Sequence, residues 1–333
     1  MTEKISVIGA GSWGTTLANL LADKGLDTML YVYEPDQFLL MQKDRLNEKY
    51  LPGVRIAPKL RLNDDLKATT NFARYLVMAV PSHAVRGVLN QLQGLDLSDK
   101  IFINVAKGIE NDTLLRMSQV IQQVTGLPEE RIATLSGPSH AEEVSRDVAT
   151  AVVAASSDLK TARLVRDVFR TDAFRVYSSN DIIGVELGGS LKNVIAIAAG
   201  IADGAGFGDN TKAALMTRAL VEMTRLGMEM GAQMVTFSGL SGMGDLIVTC
   251  MSRHSRNRYV GEQIGKGKKL QQVLDEMVMV AEGVKTTKSV HQLVEKYPIE
   301  TPISNEVYEV LFNDKNPHDA VRDLMTRDPK EEL

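Results

Sequence analysis

A chain of 333 residues is long enough for two domains and a large core. Its hydrophobic content of 44%, charged content of 24% and net charge of −4 are ordinary for a globular protein and give no sign of a nucleic-acid-binding surface. Because Cys250 is the single cysteine, an intramolecular disulfide and a cysteine-rich metal site are excluded, which suits a reducing cytoplasm.

Other classes of protein are disfavoured by the pattern of the chain. Its first residues lead directly into a strand-like run, so we expect no signal peptide. No uninterrupted apolar run approaches the roughly 20 residues that cross a bilayer. We therefore expect no membrane insertion, no nucleic-acid partner and no metal, since metal-ligand spacing is missing among the five histidines, His83, His140, His254, His291 and His318.

The most informative segment begins with an apolar, strand-like run over residues 5–8. This run stops at a Gly-x-Gly-x-x-Gly turn and continues as a helical pattern, which is typical of the pyrophosphate-binding turn of a dinucleotide-binding βαβ unit. Gly9 permits the tight turn, Gly11 lets the backbone approach a pyrophosphate, and Gly14 allows close helix–strand packing. The free N–H groups that open the helix favour phosphates.

The residues after the turn support this interpretation over a plain glycine-rich loop. The helix, roughly residues 12–24, is predicted to end at Gly25 as a left-handed cap. A second strand, residues 28–33, then runs into Glu34. An acidic residue at this point commonly accepts hydrogen bonds from the adenosine ribose.

The rest of the first half alternates strand-like and helical runs. Apolar strands separated by helices predict an α/β, doubly wound, mostly parallel Rossmann-type sheet, which we assign to residues 1–179. The further predicted strands are residues 75–80, 101–105, 132–135, 151–154 and 174–177.

Beyond residues 178–181 strand candidates vanish, and we predict an all-α C-terminal domain over residues 180–333. Met216, Leu220, Met223, Gly227 and Met230 recur on one helix face, which indicates core packing. Small residues over 196–200 predict a closely packed, buried helix. We do not expect that helix to span a membrane, because it is short and carries a lysine. The tail around residues 328–332 is expected to fray.

Ligands of an open α/β sheet gather beyond the carboxyl ends of its strands, so the residues after those ends are candidates. Residues 80–83 are expected to form a wall of the cleft, or else a plain strand exit. Lys107 follows a strand and precedes a glycine, where it can face an anionic ligand or remain solvated. Ser139 follows Gly137-Pro138 at a predicted helix start, where it can contact polar ligand groups or merely cap the helix.

The second half contains a lysine and an asparagine, Lys192 and Asn193, inside a strongly apolar helix. Burying an ammonium group costs several kcal/mol unless it is paired, and burial lowers its pKa from about 10.4. Lys192 could therefore exchange protons near neutral pH, the alternative being a structural salt bridge. Asp245 adds a carboxylate. A cluster suited to a phosphate monoester, or else a surface turn, consists of Ser255, Arg256 and Asn257.

Taken together, these motifs resemble the bacterial NAD(P)-dependent glycerol-3-phosphate dehydrogenases over nearly the full chain. Many dehydrogenases share the glycine-rich turn, whereas the combination of Leu-Lys-Asn with Ser-Arg-Asn is highly specific to this family. The motifs that carry the resemblance are Gly9–Thr15, Ala106–Gly108, Ser136–Ser139, Gly188–Val194, Gly242–Leu246, Ser255–Asn257 and Val280–Gly283.

The resemblance implies an N-terminal nucleotide-binding domain, a helical substrate domain and a homodimer. It also implies the reaction sn-glycerol 3-phosphate + NAD(P)⁺ ⇌ dihydroxyacetone phosphate + NAD(P)H, which in cells runs mainly toward glycerol 3-phosphate for glycerophospholipids. Two other hypotheses stay open: a related two-domain dehydrogenase acting on another hydroxy acid or sugar phosphate, and a non-catalytic dinucleotide sensor.

Residue roles follow from the same resemblance. Lys192 is implied as the general acid/base, assisted by Lys107 and Asp245, and Arg256 as the phosphate anchor. The implied substrate contacts are Lys107, Gly137, Ser139, Lys192, Asp245, Ser255, Arg256 and Asn257. The implied cofactor contacts, besides the three glycines of the turn, are Ser12, Trp13, Tyr33, Lys107, Ala141, Arg256, Val280 and Glu282.

One position departs from the family pattern. Many relatives carry a basic or imidazole side chain before the acidic residue that ends the second strand, whereas this chain has Tyr33-Glu34. Neither side chain offers a cation for the 2′-phosphate of NADP. The sequence therefore leaves the choice between NAD and NADP open.

Overall fold

The computed structural model describes residues 3–297, 299–329 and 331–332. The expectations placed on Met1 and Thr2 at the start of the chain, and on Lys330 in the tail, lie outside the described residues.

An eight-stranded sheet occupies the first half of the chain in the order β10-β9-β8-β7-β6-β1-β2-β5. Neighbours among these described strands run parallel except for the β8–β9 pair, which confirms the mostly parallel sheet. The strands of this sheet are β1 Lys4–Ile8, β2 Asp27–Tyr31, β5 Arg61–Asn63, β6 Tyr75–Met78, β7 Ile101–Asn104, β8 Ile132–Ser136, β9 Thr150–Ala155 and β10 Phe174–Ser179. A separate antiparallel hairpin consists of β3 Leu46–Asn47 and β4 Leu51–Arg55.

Helices flank this sheet and make up the second half. In the first half they are α1 Ser12–Asp23, α2 Pro35–Asp44, α3 Leu66–Phe72, α4 Val85–Asn90, α5 Met117–Thr125, α6 Ala141–Val144 and α7 Leu159–Phe169. In the second half they are α8 Ile182–Gly204, α9 Asp209–Glu229, α10 Met234–Phe237, α11 Asp245–Met251, α12 Arg256–Gly265, α13 Leu270–Asp275, α14 Glu282–Lys296, α15 Pro302–Phe312 and α16 Pro317–Met325. Short 3₁₀ turns (Ser82–Ala84, Glu129–Arg131) and a π-helix (Leu240–Gly244) complete the elements.

The strands are buried because helices cover both faces of the sheet. One apolar cluster packs α1 and α7 against it, and another packs α4 and α5 against the opposite face. A third cluster lies entirely outside the sheet and centres on α8. The methionine stripe of α9 contributes to this third cluster, through the buried Met223 and the partly buried Met216 and Leu220, so its assignment to the core is confirmed.

The central helix α8 has 23 residues, so the argument that it is too short to span a membrane was wrong. By length and composition alone, α8 and the stretch Met234–Met251 could each span a bilayer. However, 83% of the apolar window of α8 is buried inside the fold, as expected for the core helix of a globular protein.

Glycines let α12 cross α8 at very short range. A Cβ on Gly200 would lie 2.0 Å from the carbonyl oxygen of Arg258, and one on Gly261 would lie 2.0 Å from that of Ile197. The predicted close packing over residues 196–200 is therefore present. It fixes the start of α12, where Arg256 lies, relative to Lys192 on α8.

Two features near the sheet edge differ from expectation. The second strand ends at Tyr31 instead of residue 33, and Glu34 precedes α2 as its N-cap residue. The β3–β4 hairpin and the edge strand β5 were not predicted, because they are short and lack a continuous apolar pattern.

Since β10 ends at Ser179 and α8 begins at Ile182, the domain boundary at 179/180 lies between the sheet and the helices, and it stays a prediction.

Candidate active site

The glycine-rich turn has the shape that a pyrophosphate requires. Gly9 has a φ of +114°, and a Cβ there would lie 2.7 Å from the carbonyl oxygen of Ala79. A Cβ on Gly14 would lie 1.9 Å from the carbonyl oxygen of Gly9, so α1 packs directly on the turn. At Gly11, in contrast, a Cβ would meet no described heavy atom within 4 Å. The turn is thus closed toward the protein and open toward the cleft.

Buried amide side chains fix this turn from behind. The side-chain amides of Gln37 and Asn47 each donate to the carbonyl oxygen of Ala10 at 2.9 Å. Asn47 also donates to Thr15 Oγ1 at 2.8 Å and accepts a 3.0 Å bond from Gln37. Sequence reasoning missed both residues, because their bonds to Ala10 span 27 and 37 residues of the chain and follow no local pattern.

A cleft of ≈ 660 Å³ runs from this turn to the helical half. That volume lies in the range of small-molecule and cofactor sites. Together with the open face at Gly11, it fits a dinucleotide with its phosphates at the start of α1. The residues of the predicted cofactor set that line it are Gly9, Gly11, Ser12, Trp13, Tyr33, Lys107, Ala141, Arg256, Val280 and Glu282.

At the end of the cleft nearest β2, Glu34 already has intramolecular partners. Its carboxylate accepts hydrogen bonds from Lys49 Nζ and from the hydroxyl of Tyr50. Both hydrogen bonds lower the pKa of Glu34, and the bond from Lys49 has the larger effect. The prediction for Glu34 did not include these two partners, which come from the hairpin.

In the helical half, one carboxylate joins two lysines. Lys192 Nζ lies 3.0 Å from Asp245 Oδ1 and donates to Thr249 Oγ1 at 2.6 Å. Lys107 Nζ lies 2.6 Å from Asp245 Oδ2 and donates to the carbonyl oxygen of Gly137 at 2.9 Å. Lys107 comes from the sheet half, whereas Lys192 and Asp245 come from α8 and α11.

Burial brings the pKa of Lys192 closer to neutral pH. Lys192 and Asp245 are 6% and 1% exposed, and desolvation lowers the pKa of Lys192 from 10.5 to about 8, although Asp245 partly opposes that shift. The two lysines keep the pKa of Asp245 below its usual value despite burial. Lys192 therefore has both the salt bridge and the lowered pKa that sequence reasoning treated as alternatives. Nearby Cys250 is inert, since burial raises its pKa to about 12.

A row of hydrogen-bonded amide groups connects the two halves of the chain beside the lysines. Asn193 donates to the carbonyl oxygen of Lys107 at 3.0 Å, and Asn257 donates to Asn193 Oδ1 at 2.9 Å. Asn257 Oδ1 in turn accepts from the backbone N–H of Gly283 at 2.9 Å. Asn257 thus orders the wall of the cleft in addition to its predicted place beside the substrate.

The remaining predicted residues lie around the same cleft. Arg256 Nη1 donates to the carbonyl oxygen of Val280 at 3.0 Å, and Ser255 caps α12 by accepting from the backbone N–H of Arg258. Ser139 is not a helix cap, because its hydroxyl donates to the carbonyl oxygen of Gly137 and the short α6 begins after His140. Glu282 accepts from the backbone N–H of Ser82 at 2.8 Å.

Sequence reasoning did not single out His140 as a site residue, although it lines the cleft and its buried Nε2 has no hydrogen-bond partner among the described residues. Burial, and after it the charge of Lys192, lower the pKa of His140, which favours the neutral imidazole. In the part of the chain that the structure describes, no group of three His, Cys, Asp or Glu side chains is placed to hold a metal ion.

The fold and cleft define a dinucleotide-binding α/β protein whose helical half supplies a paired, buried lysine. Models of the NAD-dependent glycerol-3-phosphate dehydrogenase N-terminus and C-terminus match residues 4–162 and 181–322, respectively. The chain belongs to the NAD-dependent glycerol-3-phosphate dehydrogenase family.

Individual relatives match over their whole lengths. The chain is 54% identical over 331 residues to a glycerol-3-phosphate dehydrogenase (NAD(P)+) of Chlorobium phaeobacteroides, covering 99% of each chain. It is 53% identical to the enzyme of that name from Geobacter sulfurreducens, covering 100% of this chain and 99% of the relative. The crystal structure of glycerol-3-phosphate dehydrogenase from Coxiella burnetii superposes with a TM-score of 0.93 at 37% identity, covering 98% of this chain and 99% of that one.

Proposed function

We propose that this protein catalyses the reversible reduction of dihydroxyacetone phosphate to sn-glycerol 3-phosphate with NADH or NADPH, and so supplies glycerophospholipid synthesis. It is an oxidoreductase acting on a CH–OH donor. The observation that carries the proposal is the buried Lys192–Asp245–Lys107 cluster on a cleft whose other end is a pyrophosphate-binding turn.

The chemistry divides between the coenzyme and the protein. The bound nicotinamide supplies hydride to the carbonyl carbon or accepts it from the alcohol. Lys192 donates a proton to the carbonyl oxygen during reduction and removes it during oxidation, which a pKa of about 8 permits in both directions. Lys107 adds positive charge near the oxygen on which negative charge develops, and Asp245 orients both ammonium groups.

Arg256 is proposed to bind the substrate phosphate. Arg256 is the first residue of α12, where the helix dipole also favours an anion, and its guanidinium can bind a phosphate through two parallel hydrogen bonds. Binding a phosphate remote from the reacting carbon uses that interaction to align the carbonyl group with Lys192. The other proposed substrate contacts are Gly137, Ser139, Ser255 and Asn257.

The proposal is tested by a spectrophotometric assay that follows the absorbance of the reduced nicotinamide at about 340 nm. Dihydroxyacetone phosphate should be reduced with at least one coenzyme, and unphosphorylated dihydroxyacetone should be poorer by about 100-fold in kcat/KM. Arg256→Met should remove most of that preference. Arg253→Met, which changes a neighbouring exposed arginine, is the matched control and should keep it.

The alternatives predict other results. A related dehydrogenase for another hydroxy acid or sugar phosphate would reduce a different carbonyl substrate faster than dihydroxyacetone phosphate. A non-catalytic dinucleotide sensor would bind coenzyme and oxidise none with any phosphorylated ketose. Either result would contradict the proposal.

We also infer a homodimer in the cytoplasm. Exposed apolar side chains on the stretch Met234–Met251, among them Met234, Val235 and Met251, form the kind of surface that protein interfaces cover. Sedimentation equilibrium should give twice the 36.5 kDa of one chain. A mass of one chain at micromolar concentration would contradict the dimer.

A further inference from the structure

The choice between NAD and NADP depends on what meets the adenosine 2′ position at the end of the second strand. A carboxylate there accepts bonds from the ribose 2′-hydroxyl, and it repels a 2′-phosphate unless a cation accompanies it. This chain has Glu34 at that place and no cation at residue 33. The fold supplies the missing cation from another part of the chain.

The cation comes from the hairpin turn at residues 48–50, between β3 and β4. Lys49 Nζ and the hydroxyl of Tyr50 both bond the Glu34 carboxylate, and Lys49 Nζ also lies 5.0 Å from the centroid of the Tyr50 ring. Tyr33, Glu34 and Tyr50 line the cleft. The side chain of Lys49 is 46% exposed, so it can leave the carboxylate without a large desolvation cost.

This turn has a fixed position relative to the pyrophosphate-binding turn. Asn47 is 1% exposed and bonds the carbonyl oxygen of Ala10 and the hydroxyl of Thr15. Its Oδ1 also accepts from the backbone N–H of Tyr50 at 3.3 Å. The backbone of the hairpin turn is therefore joined to the pyrophosphate-binding turn through the buried side chain of Asn47.

We propose that Lys49, assisted by the hydroxyl of Tyr50, determines coenzyme specificity by binding the 2′-phosphate of NADP(H). With a 2′-phosphate bound, Lys49 exchanges the Glu34 carboxylate for a group of higher negative charge, whereas with NAD(H) the carboxylate accepts from the 2′-hydroxyl. The protein thus accepts both coenzymes. The proposal rests on the proposed function only in taking the same coenzyme cleft.

Calorimetric titration of two adenosine fragments tests this without catalysis. Adenosine 2′,5′-bisphosphate and adenosine 5′-monophosphate differ only in the 2′-phosphate. Lys49→Met should weaken binding of the bisphosphate by about tenfold or more and change that of the monophosphate by less than about twofold. Lys43→Met, a change at another exposed lysine on α2, is the control and should affect neither fragment.

Turnover supplies a second readout. In Lys49→Met, the ratio of kcat/KM for NADPH to that for NADH should fall by about tenfold, with the NADH value retained. Equal effects on both fragments and both coenzymes, or no effect on either, would overturn the proposal. Because the fragment titrations need no substrate, failure to reduce dihydroxyacetone phosphate would count against the proposed function and leave the result for Lys49 intact.

Discussion

The carboxylate of Asp245 pairs with the ammonium groups of two lysines, and this shared ion pair defines the chemistry of the cleft. Each oxygen has its own lysine, at 3.0 Å for Lys192 and 2.6 Å for Lys107. Removing a carboxylate from such a site leaves two cations facing each other with little water. The state of Lys192 therefore depends on Asp245 as much as on burial.

The pH dependence of the wild-type protein follows from the lowered pKa of Lys192, about 8. Reduction needs the ammonium form, so kcat for reduction should be level below about pH 8 and fall above it. Oxidation needs the neutral amine, so its kcat should rise with pH and level off above about pH 8. Steady-state measurements of kcat in both directions at saturating substrate check this. Values of kcat that did not change between about pH 7 and about pH 9 would contradict it.

Asp245→Asn tests the shared carboxylate. Since Asp245 raises the pKa of Lys192, the substitution should lower that pKa further and move the falling limb of the reduction profile to lower pH. We expect kcat to drop by about 100-fold because both lysines lose their orienting partner. Circular dichroism serves as the control for folding. A limb that stays in place or moves upward would show that Asp245 does not act on Lys192.

At the scale of elements, the crossing of α8 and α12 positions the phosphate-binding end of the cleft. The backbones of the two helices come so close at Gly200 and Gly261 that a Cβ atom on either residue would lie 2.0 Å from a carbonyl oxygen of the other helix. Because Lys192 lies on α8 and Arg256 begins α12, this crossing sets the distance between the proposed proton donor and the proposed phosphate anchor.

Gly261→Ala should force the two helices apart. The new Cβ would lie 2.0 Å from the carbonyl oxygen of Ile197, and overpacking of this kind costs about 1–3 kcal/mol of unfolding free energy. We also expect KM for dihydroxyacetone phosphate to rise. Urea denaturation measures the first effect. The control is Gly87→Ala on α4, which meets no described atom within 4 Å and should stabilise by up to about 1 kcal/mol; equal effects at both sites would contradict this account.

How much of this could be predicted from the sequence depends on the range of the contacts involved. The glycine-rich turn, the apolar strands and the buried lysine of α8 are local patterns, and the structure contains them. The partners of Glu34, and Asn47 as one of the two partners of Ala10, come from a hairpin of short strands that carries no hydrophobic period. No local pattern could pair Lys192 with Asp245, because 53 residues separate them, and only the family resemblance implied that Asp245 assists Lys192.

At the scale of the whole molecule, a buried ion pair joins the sheet half to the helical half. Arg116, which precedes α5, lies 2.5 Å from Glu186 on α8, and the same carboxylate accepts from the backbone N–H and hydroxyl of Ser118. These contacts, together with those of Lys107, connect the two halves of the chain. We expect the halves to unfold in one transition.

Arg116→Met should destabilise the protein by about 3–5 kcal/mol, because it leaves the Glu186 carboxylate buried without its cation. The double variant Arg116→Met/Glu186→Gln should recover a large part of that loss, since the neutral amide still accepts from Ser118. Chemical denaturation followed by circular dichroism measures both. If the double variant were no more stable than the single one, the loss would come from packing and not from the unpaired charge.

The role of Lys192 as proton donor is tested most directly by Lys192→Met, with turnover and coenzyme binding measured on the same preparation. The methionine replaces the ammonium group with an apolar chain of similar length. We predict that kcat for dihydroxyacetone phosphate reduction falls by about 1,000-fold or more while the dissociation constant for the reduced coenzyme changes by less than about threefold. A kcat within about tenfold of the wild-type value would contradict the account.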